Sequence, residues 1–257
     1  MTQLLILSAI HKFPLQILEL LTEVIAECGG GVVQQAAVKA LIDAAESASG
    51  KAGCAKAGPD EVRHLLSALQ QDCDPVRDAG LRGLLAMPDA LTDLAWSLQA
   101  DLVRRVWVAR CDPLAENRTL ADQLWQELGL ETYPDLATEM LNDVAHPVDK
   151  VRTAAAEALA KLLEASPDET GAVLTQLLEL FEEKLVPTPP IVDGLGRIIE
   201  PAIDHWAPRS GIALALGKIA PHFNDFMVTQ AVSFFVPKGL GDRNEAVRRD
   251  MLRDGNL

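Results

Sequence analysis

The feature that most constrains this chain is a short pattern that returns six times. It reads Val-Arg, then a small residue three positions after the Arg, then an apolar residue four further on. The clear copies are Val76, Arg77, Gly80, Leu84 and Val151, Arg152, Ala155, Leu159. Weaker copies are Val33-Gln34 with Ala37 and Leu41, Asn117-Arg118 with Ala121 and Trp125, Pro208-Arg209 with Ile212 and Leu216, and Val247-Arg248 with Met251. The Arg-equivalent positions are therefore 34, 77, 118, 152, 209 and 248. Four of the five intervals cluster near the ~40-residue period of repeats built from two helices, and one is longer.

Within "VRTAAAEAL", Val151, Ala155, Ala158, Leu159 and Leu162 share one face of a helix. Each such helix has a candidate partner before it. These are Pro14 to Glu27, Pro59 to Gln71, Pro88 to Arg110, Pro134 to Ala145, Pro167 to Leu185 and Asn224 to Val236. Pro-Asp opens four of them. Pro at a helix start costs no hydrogen bond, and Asp suits the positive helix end. A lone pair of helices cannot bury its apolar face, so pairs stack, and Ala or Gly at the contact permits close approach. The expectation is an all-α HEAT-repeat α-solenoid, a right-handed superhelix of antiparallel helix pairs. It runs over residues 1–257 as a single array of about six pairs, the last truncated, so a fragment, a truncated isoform or a partial gene product is expected. Gly, Ala, Ser and Lys between residues 46 and 58 predict a flexible loop. The long interval is assigned to a Pro/Gly-rich insertion at 186–203. Its start, "VPTPP", reads as an extended connector, and "GLGRIIE" at 194–200 as a packed helix.

The repeated Arg reads as structural. Arg77, Arg118, Arg152, Arg209 and Arg248 form a ladder, each bonding an Asp or a free carbonyl in the turn before it or in the next repeat. The candidate acceptors are Asp74, Asp112, Asp149 and Asp242. A catalytic Arg is the sharper alternative, and recurrence in nearly every repeat argues against it.

Ala and Leu dominate while aromatics are 4%, a mix that suits packed helices over sheets. The formal net charge of -14 repels phosphate on average, which argues against a general polyanion binder. Cys28, Cys54, Cys73 and Cys111 form no Cys-x-x-Cys pair and have no His at zinc-finger spacing. A reduced intracellular compartment is the simplest reading. "LLILSAI" at residues 4–10 lacks the flanks of a signal peptide, and no apolar run is long enough to span a bilayer.

Motifs that carry chemistry are sparse. "ECGGGVV" at 27–33 has glycines but neither the Lys nor the strand context of a phosphate loop, and reads as a helix end and tight turn. His11, His64, His146, His205 and His222 form no metal-binding spacing. No catalytic residue, cofactor site or metal site is assigned, and the chain reads as non-enzymatic. One candidate interaction patch remains: Arg104, Arg105 and Arg110, with Arg118 nearby, interleaved with Trp107 and Trp125. It could meet RNA or an acidic protein. Asp101, Asp112 and Glu116 in the same segment favour pairing within the chain.

Longer strings go beyond the generic repeat. "FPLQILELLTEVIAECGGG", "CDPVRDAGLRGL", "RRVWVARCD", "HPVDKVRTAAAEALA", "WAPRSGIALALGKIA" and "FFVPKGLGDRNEAVRRDML" occur in that order. Together they resemble one internal region of the general control non-derepressible protein one family, just before its elongation-factor-three-like repeats. The resemblance covers nearly the whole chain apart from the loop near Gly50. It implies a cytoplasmic, ribosome-associated scaffold that promotes activation of the initiation factor two alpha kinase in amino-acid starvation or ribosome stalling. It also implies ribosome-associated factors and kinase-pathway components as partners, through the full-length protein, together with a ribosome contact. No membrane and no small-molecule substrate are expected. The family's kinase-docking region has no match here. The competing reading is a generic HEAT adaptor of the phosphatase-scaffold or nuclear-transport type.

Overall fold

The computed structural model describes residues 14–50, 56–92 and 94–253. Among them the chain is helical apart from one small hairpin. Contacts divide it into two compact units, residues 1–132 and 133–257. Among the described residues each holds three helix pairs.

In the first unit, α1 (Pro14–Glu27) and α2 (Val32–Ser47) form the first pair. The link between them turns sharply at Gly30 and Gly31, both at positive φ, where a side chain would be strained. Helices α3 (Pro59–Ala68) and α4 (Asp74–Ala86) form the second pair. The third partner divides into a single turn, α5 (Pro88–Leu91), and α6 (Trp96–Ala109), which packs on α7 (Ala115–Glu127). First helices neighbour one another, as do second helices: α1 packs on α3 and α3 on α6, while α2 packs on α4 and α4 on α7. Their apolar faces merge into one core that includes Leu18, Leu41, Leu65, Leu84, Val106 and Leu124. In the third repeat Leu124 is buried and the expected Trp125 lies half-buried beside it. The indole is too large for that slot and is held instead in a side-chain stack described below.

The second unit opens with two single turns, α8 (Leu136–Glu139) and α9 (Leu141–Val144), instead of the one helix expected over 134–145. Helix α10 (Asp149–Ala165) is a run of Ala and Leu, the best helix formers, with Asp149 at its positive end. A short 3-10 turn (Pro167–Glu169) leads into α11 (Thr170–Leu185). Helix α12 (Trp206–Ile219) packs on both α10 and α11. Helix α13 (Asp225–Phe234) ends in a wide turn (Phe235–Gly239) that holds Pro237, which has no N–H to continue a helix. Helix α14 (Glu245–Arg253) packs on α12. Phe181 and Phe234 meet edge to face at 5.1 Å in this core.

Among the described glycines the tightest surroundings are at Gly211. A Cβ built there would lie 1.9 Å from the Val144 carbonyl and 2.7 Å from Cδ of Arg152. Gly211 stands one residue before the template position Ile212, so the tight spot is not the one the repeat pattern names.

The expected packed helix at 194–200 is not formed. The segment is the tip and second strand of an antiparallel hairpin, β1 (Ile191–Val192) and β2 (Ile198–Glu200). Gly196 lies at φ +76° in the turn, and a Cβ added at Gly194 or Gly196 would meet no atom within 4 Å, so neither is at a close helix contact. Glycine is a poor helix former, and Ile191, Val192, Ile198 and Ile199 favour extended backbone. The loop expected at 46–58 falls partly on 51–55, which lie outside the described residues. Its flanks are joined: Ser49 bridges Lys56, and the Ala57 N–H donates to Ala48 O at 2.7 Å.

An arginine ladder and a candidate interaction surface

Each ladder Arg enters near the N-terminal end of a second helix, and all but Arg209 reach back to carbonyls five or six residues earlier. Arg77 donates from Nη1 to Gln71 O and Asp72 O, both at 2.9 Å. Arg118 does the same to Asp112 O and Pro113 O, and Arg152 to His146 O and Pro147 O. Arg248 reaches Asp242 O at 2.6 Å. Gln34, the non-Arg copy, donates to Ile25 O and Cys28 O at 2.9 and 2.7 Å. These carbonyls lie at or just beyond helix ends, where backbone acceptors lack helical partners. Arg209 reaches Lys184 O instead, 25 residues back, because the hairpin is inserted between.

A second set of bonds links successive repeats. Arg77 grips Asp112 from Nε at 2.6 Å and from Nη2 at 3.2 Å. Arg209 grips Asp242 at 2.7 and 3.0 Å. In both cases the same carboxylate accepts the backbone N–H two residues on, Leu114 or Asn244, at 2.8 Å. The Asp therefore closes its own turn while it holds the preceding repeat. Burial works against the charge on Arg77 and Arg209, yet the Asp partners outweigh it and raise both pKa values. Arg152 differs. Its carboxylate partner is Asp149 of the same helix turn, at 2.8 Å, and toward the next repeat it faces the Trp206 ring at 5.8 Å. All four candidate acceptors thus lie within hydrogen-bonding distance of a ladder Arg.

The basic cluster near Arg104 is engaged within the chain. Arg104 is buried and pairs with Asp101 at 2.7 Å. Arg110 lies 4.8 Å from the ring centres of both Trp107 and Trp125, and its Nε donates to Asp122 at 2.6 Å. Arg105 is half-buried on the same helix. A cation placed between two indoles and a carboxylate is neutralised locally.

Other polar groups close local structure. His146 accepts the Val148 N–H, His205 bonds Thr188 Oγ1 at 2.8 Å, and His64 bonds Thr22 Oγ1 at 2.9 Å. A groove of about 530 Å³ in the first unit lies across α2 and the starts of α4 and α7. Val38, Ile42, Pro75 and Leu114 line it together with Lys39, Arg82 and Glu116. Among the described residues no His, Cys, Asp and Glu gather as a metal site, and no helix is long and apolar enough to cross a membrane.

A family profile described as "Stalled ribosome sensor GCN1, HEAT repeats" matches residues 93–256. The chain belongs to the GCN1 HEAT-repeat family. It is 40% identical to the mouse stalled ribosome sensor GCN1 over 240 residues, 91% of this chain and 9% of the mouse protein. It is 29% identical to the yeast eIF-2-alpha kinase activator GCN1 over 160 residues, 58% of this chain and 6% of that protein. The Arabidopsis protein ILITYHIA is 27% identical over 196 residues, 76% of this chain and 7% of its own length. The chain thus spans less than a tenth of these relatives. No solved structure matches it.

The GCN1-family ladder also contains groups that the sequence reading overlooked. Asp204 bonds Arg209 at 2.8 Å and Arg243 at 2.5 Å, and Arg243 reaches Leu185 O. Hydrogen bonds from Arg209 first, and from Arg243 next, hold the Asp204 carboxyl far below the usual carboxylate range. Ser210 donates to buried Asp250 at 2.5 Å, a further link between repeats. Asp204 had a signal, since it stands five residues before a ladder Arg. Arg243 and Ser210 had none, because their partners are 39 and 40 residues away.

Proposed function

We propose that this chain is a non-catalytic HEAT-repeat scaffold segment of a ribosome-associated translational regulator. In that role it helps promote activation of the initiation factor two alpha kinase when ribosomes stall or amino acids run short. The observation that carries this reading is the 40% identity to the stalled ribosome sensor GCN1 along 91% of the chain. The kinase connection rests on the name of the yeast relative. This support is specific to translational control and does not extend to a phosphatase or nuclear-transport adaptor. The proposed setting is the cytosol, with protein partners and a ribosome contact made through the longer protein.

The Arg ladder is proposed as the scaffold's stiffening element. Its guanidinium groups are consumed by carbonyls and carboxylates of the same chain, which leaves them poorly placed for catalysis or partner binding. The Arg104, Arg105 and Arg110 patch is proposed to be secondary in any ribosome contact, since Arg104 and Arg110 already hold Asp101 and Asp122. With a net charge of -14, binding to ribosomal RNA is opposed over the average surface. An isolated segment also lacks the avidity of linked sites.

Sedimentation of the purified chain with ribosomes across a salt series tests this reading. Weak, salt-sensitive co-sedimentation without stimulation of the kinase is expected of the segment alone. Absence of any ribosome association, with retention by a phosphatase subunit instead, would move the chain to the adaptor class.

A further inference from the structure

The most apolar surface of the second unit is the hairpin between α11 and α12. Ile191, Val192, Leu195, Ile198, Ile199 and Ile203 are all between 51% and 77% exposed. Scattered apolar residues on a surface are ordinary, but six within thirteen positions are a high local density, and the register (Ile191 opposite Glu200, Val192 opposite Ile198) spreads them over both faces of the arm.

This arm is built to hold its shape. At its base, Thr188 and Ile203 exchange backbone hydrogen bonds of 3.0 and 3.1 Å. Asp204 beside them is clamped by Arg209 and Arg243, and Thr188 Oγ1 bonds His205. At its tip, the Asp193 carboxylate accepts the N–H groups of Leu195 and Arg197 at 2.8 and 2.9 Å. The base is thus tied into the Arg209 rung, while the apolar side chains between base and tip face outward. A preorganised element binds with a smaller ordering cost.

We propose that this hairpin is a docking arm for a folded protein partner that presents an apolar cleft with a Lys or Arg at its rim. The charges select the partner class. Between Val186 and Ile203 the sequence holds one cation, Arg197, and two carboxylates, Asp193 and Glu200. Arg197 pairs with Asp193 at 3.2 Å, so Glu200 is the charge left for a partner to meet. An arm with a net negative charge and its only cation already paired is opposed by nucleic acid and by anionic lipid. The prolines select the mode of contact. Pro187, Pro189, Pro190 and Pro201 have no N–H, so an added strand would find a broken ladder. The partner therefore grips side chains. This inference goes beyond the ribosomal reading and does not depend on it.

The test places a photoreactive benzoylphenylalanine at Leu195 in the full chain in cells, with the same probe at exposed Glu127 as control. The expected adduct is a protein, joined at an apolar segment that carries a Lys or Arg within about one helical turn. Its yield should fall roughly tenfold with Ile198→Ser/Ile199→Ser, as for loss of an apolar hot spot. Glu200→Lys should lower it about threefold, as for loss of an exposed ion pair. An unchanged melting temperature shows that the variants fold; should the double variant melt lower, Ile199→Ser carries the same reading. The proposal is overturned if the yield matches the Glu127 control or ignores these substitutions. It is equally overturned if the adduct is confined to RNA, lipid or a second copy of the chain. Ribosome co-sedimentation measured in parallel reports on the functional reading alone.

Discussion

Arg209 holds Asp242 by two hydrogen bonds, 2.7 Å from Nε and 3.0 Å from Nη2, and both side chains are 0% exposed. Arg77 and Asp112 repeat the arrangement in the other unit. Two charges taken out of water must satisfy each other, and here the carboxylate also caps a turn while the guanidinium holds loop carbonyls. The same geometry in two places marks it as a device of the repeat.

Breaking that device on one side should be costly. Arg209→Ala leaves Asp242 buried without its cation, for which a loss of about 3–5 kcal/mol is expected. Arg152→Ala should lose less, about 1–3 kcal/mol, because its carboxylate partner Asp149 is 74% exposed and remains solvated. Urea denaturation of both variants checks the ranking, and equal losses would contradict it.

Leu159 is wholly buried on the inner face of α10. Leu159→Ala should destabilise by about 2–5 kcal/mol through lost burial and a residual cavity. An unchanged unfolding midpoint would remove Leu159 from the core.

Gly211→Ala tests the close approach of α12 to the end of α9. The added methyl meets a backbone oxygen that cannot rotate away, so the helices must separate. A loss at the upper end of overpacking effects, about 3 kcal/mol, is expected. A crystal structure of the variant with unmoved helices would refute the steric account.

His64 gives a pH dependence of definite sign. Burial is the main influence and lowers its pKa below 6.5, with Glu19 opposing. The unfolded chain therefore binds the proton more readily, and the stabilising contribution present above pH 6.5 is lost as pH falls through the folded value. NMR titration should place His64 below 6.5. The drop in melting temperature from pH 7 to pH 5 should shrink in His64→Gln, and an unaltered drop would exclude His64 as its source.

Asp204 acts in more acidic solution. Its carboxyl is held well below its ordinary 3.8, so its contribution is complete above that pH and fades as pH falls through the lowered value. Asp204→Asn should be less stable than the parent at neutral pH, and the gap should narrow only below about pH 4. Calorimetry over a pH series measures this, and a gap that is constant with pH would show that the carboxylate charge is not what stabilises the hairpin base.

Much of the architecture was written in periodicity. The template positions Ala37, Leu41, Leu84, Ala155, Leu159, Ile212 and Leu216 are all buried, because a helix with a fixed apolar face has one way to sit in a stack. Helix α1 spans the expected Pro14–Glu27, since Pro and the glycine run mark its ends locally. The segment at 134–145 was less legible. Asp135 takes a left-handed backbone and the helix breaks into two turns, features that residue type alone does not encode.

The linear sequence therefore determined the helix pairs, their period and the positions of the ladder residues, since these depend on propensity and spacing along the chain. Tertiary structure decided the partners. Arg104 meets Asp101 three residues earlier on its own helix, a pairing the sequence already offered, whereas only packing shows Arg110 enclosed by two indoles. Arg77 and Arg152 share a motif, but one meets a buried Asp of the next repeat and the other faces Trp206, a difference the motif does not carry. The Arg77–Asp112 and Arg209–Asp242 pairs join groups more than 30 residues apart, and that proximity exists only once the helices have stacked.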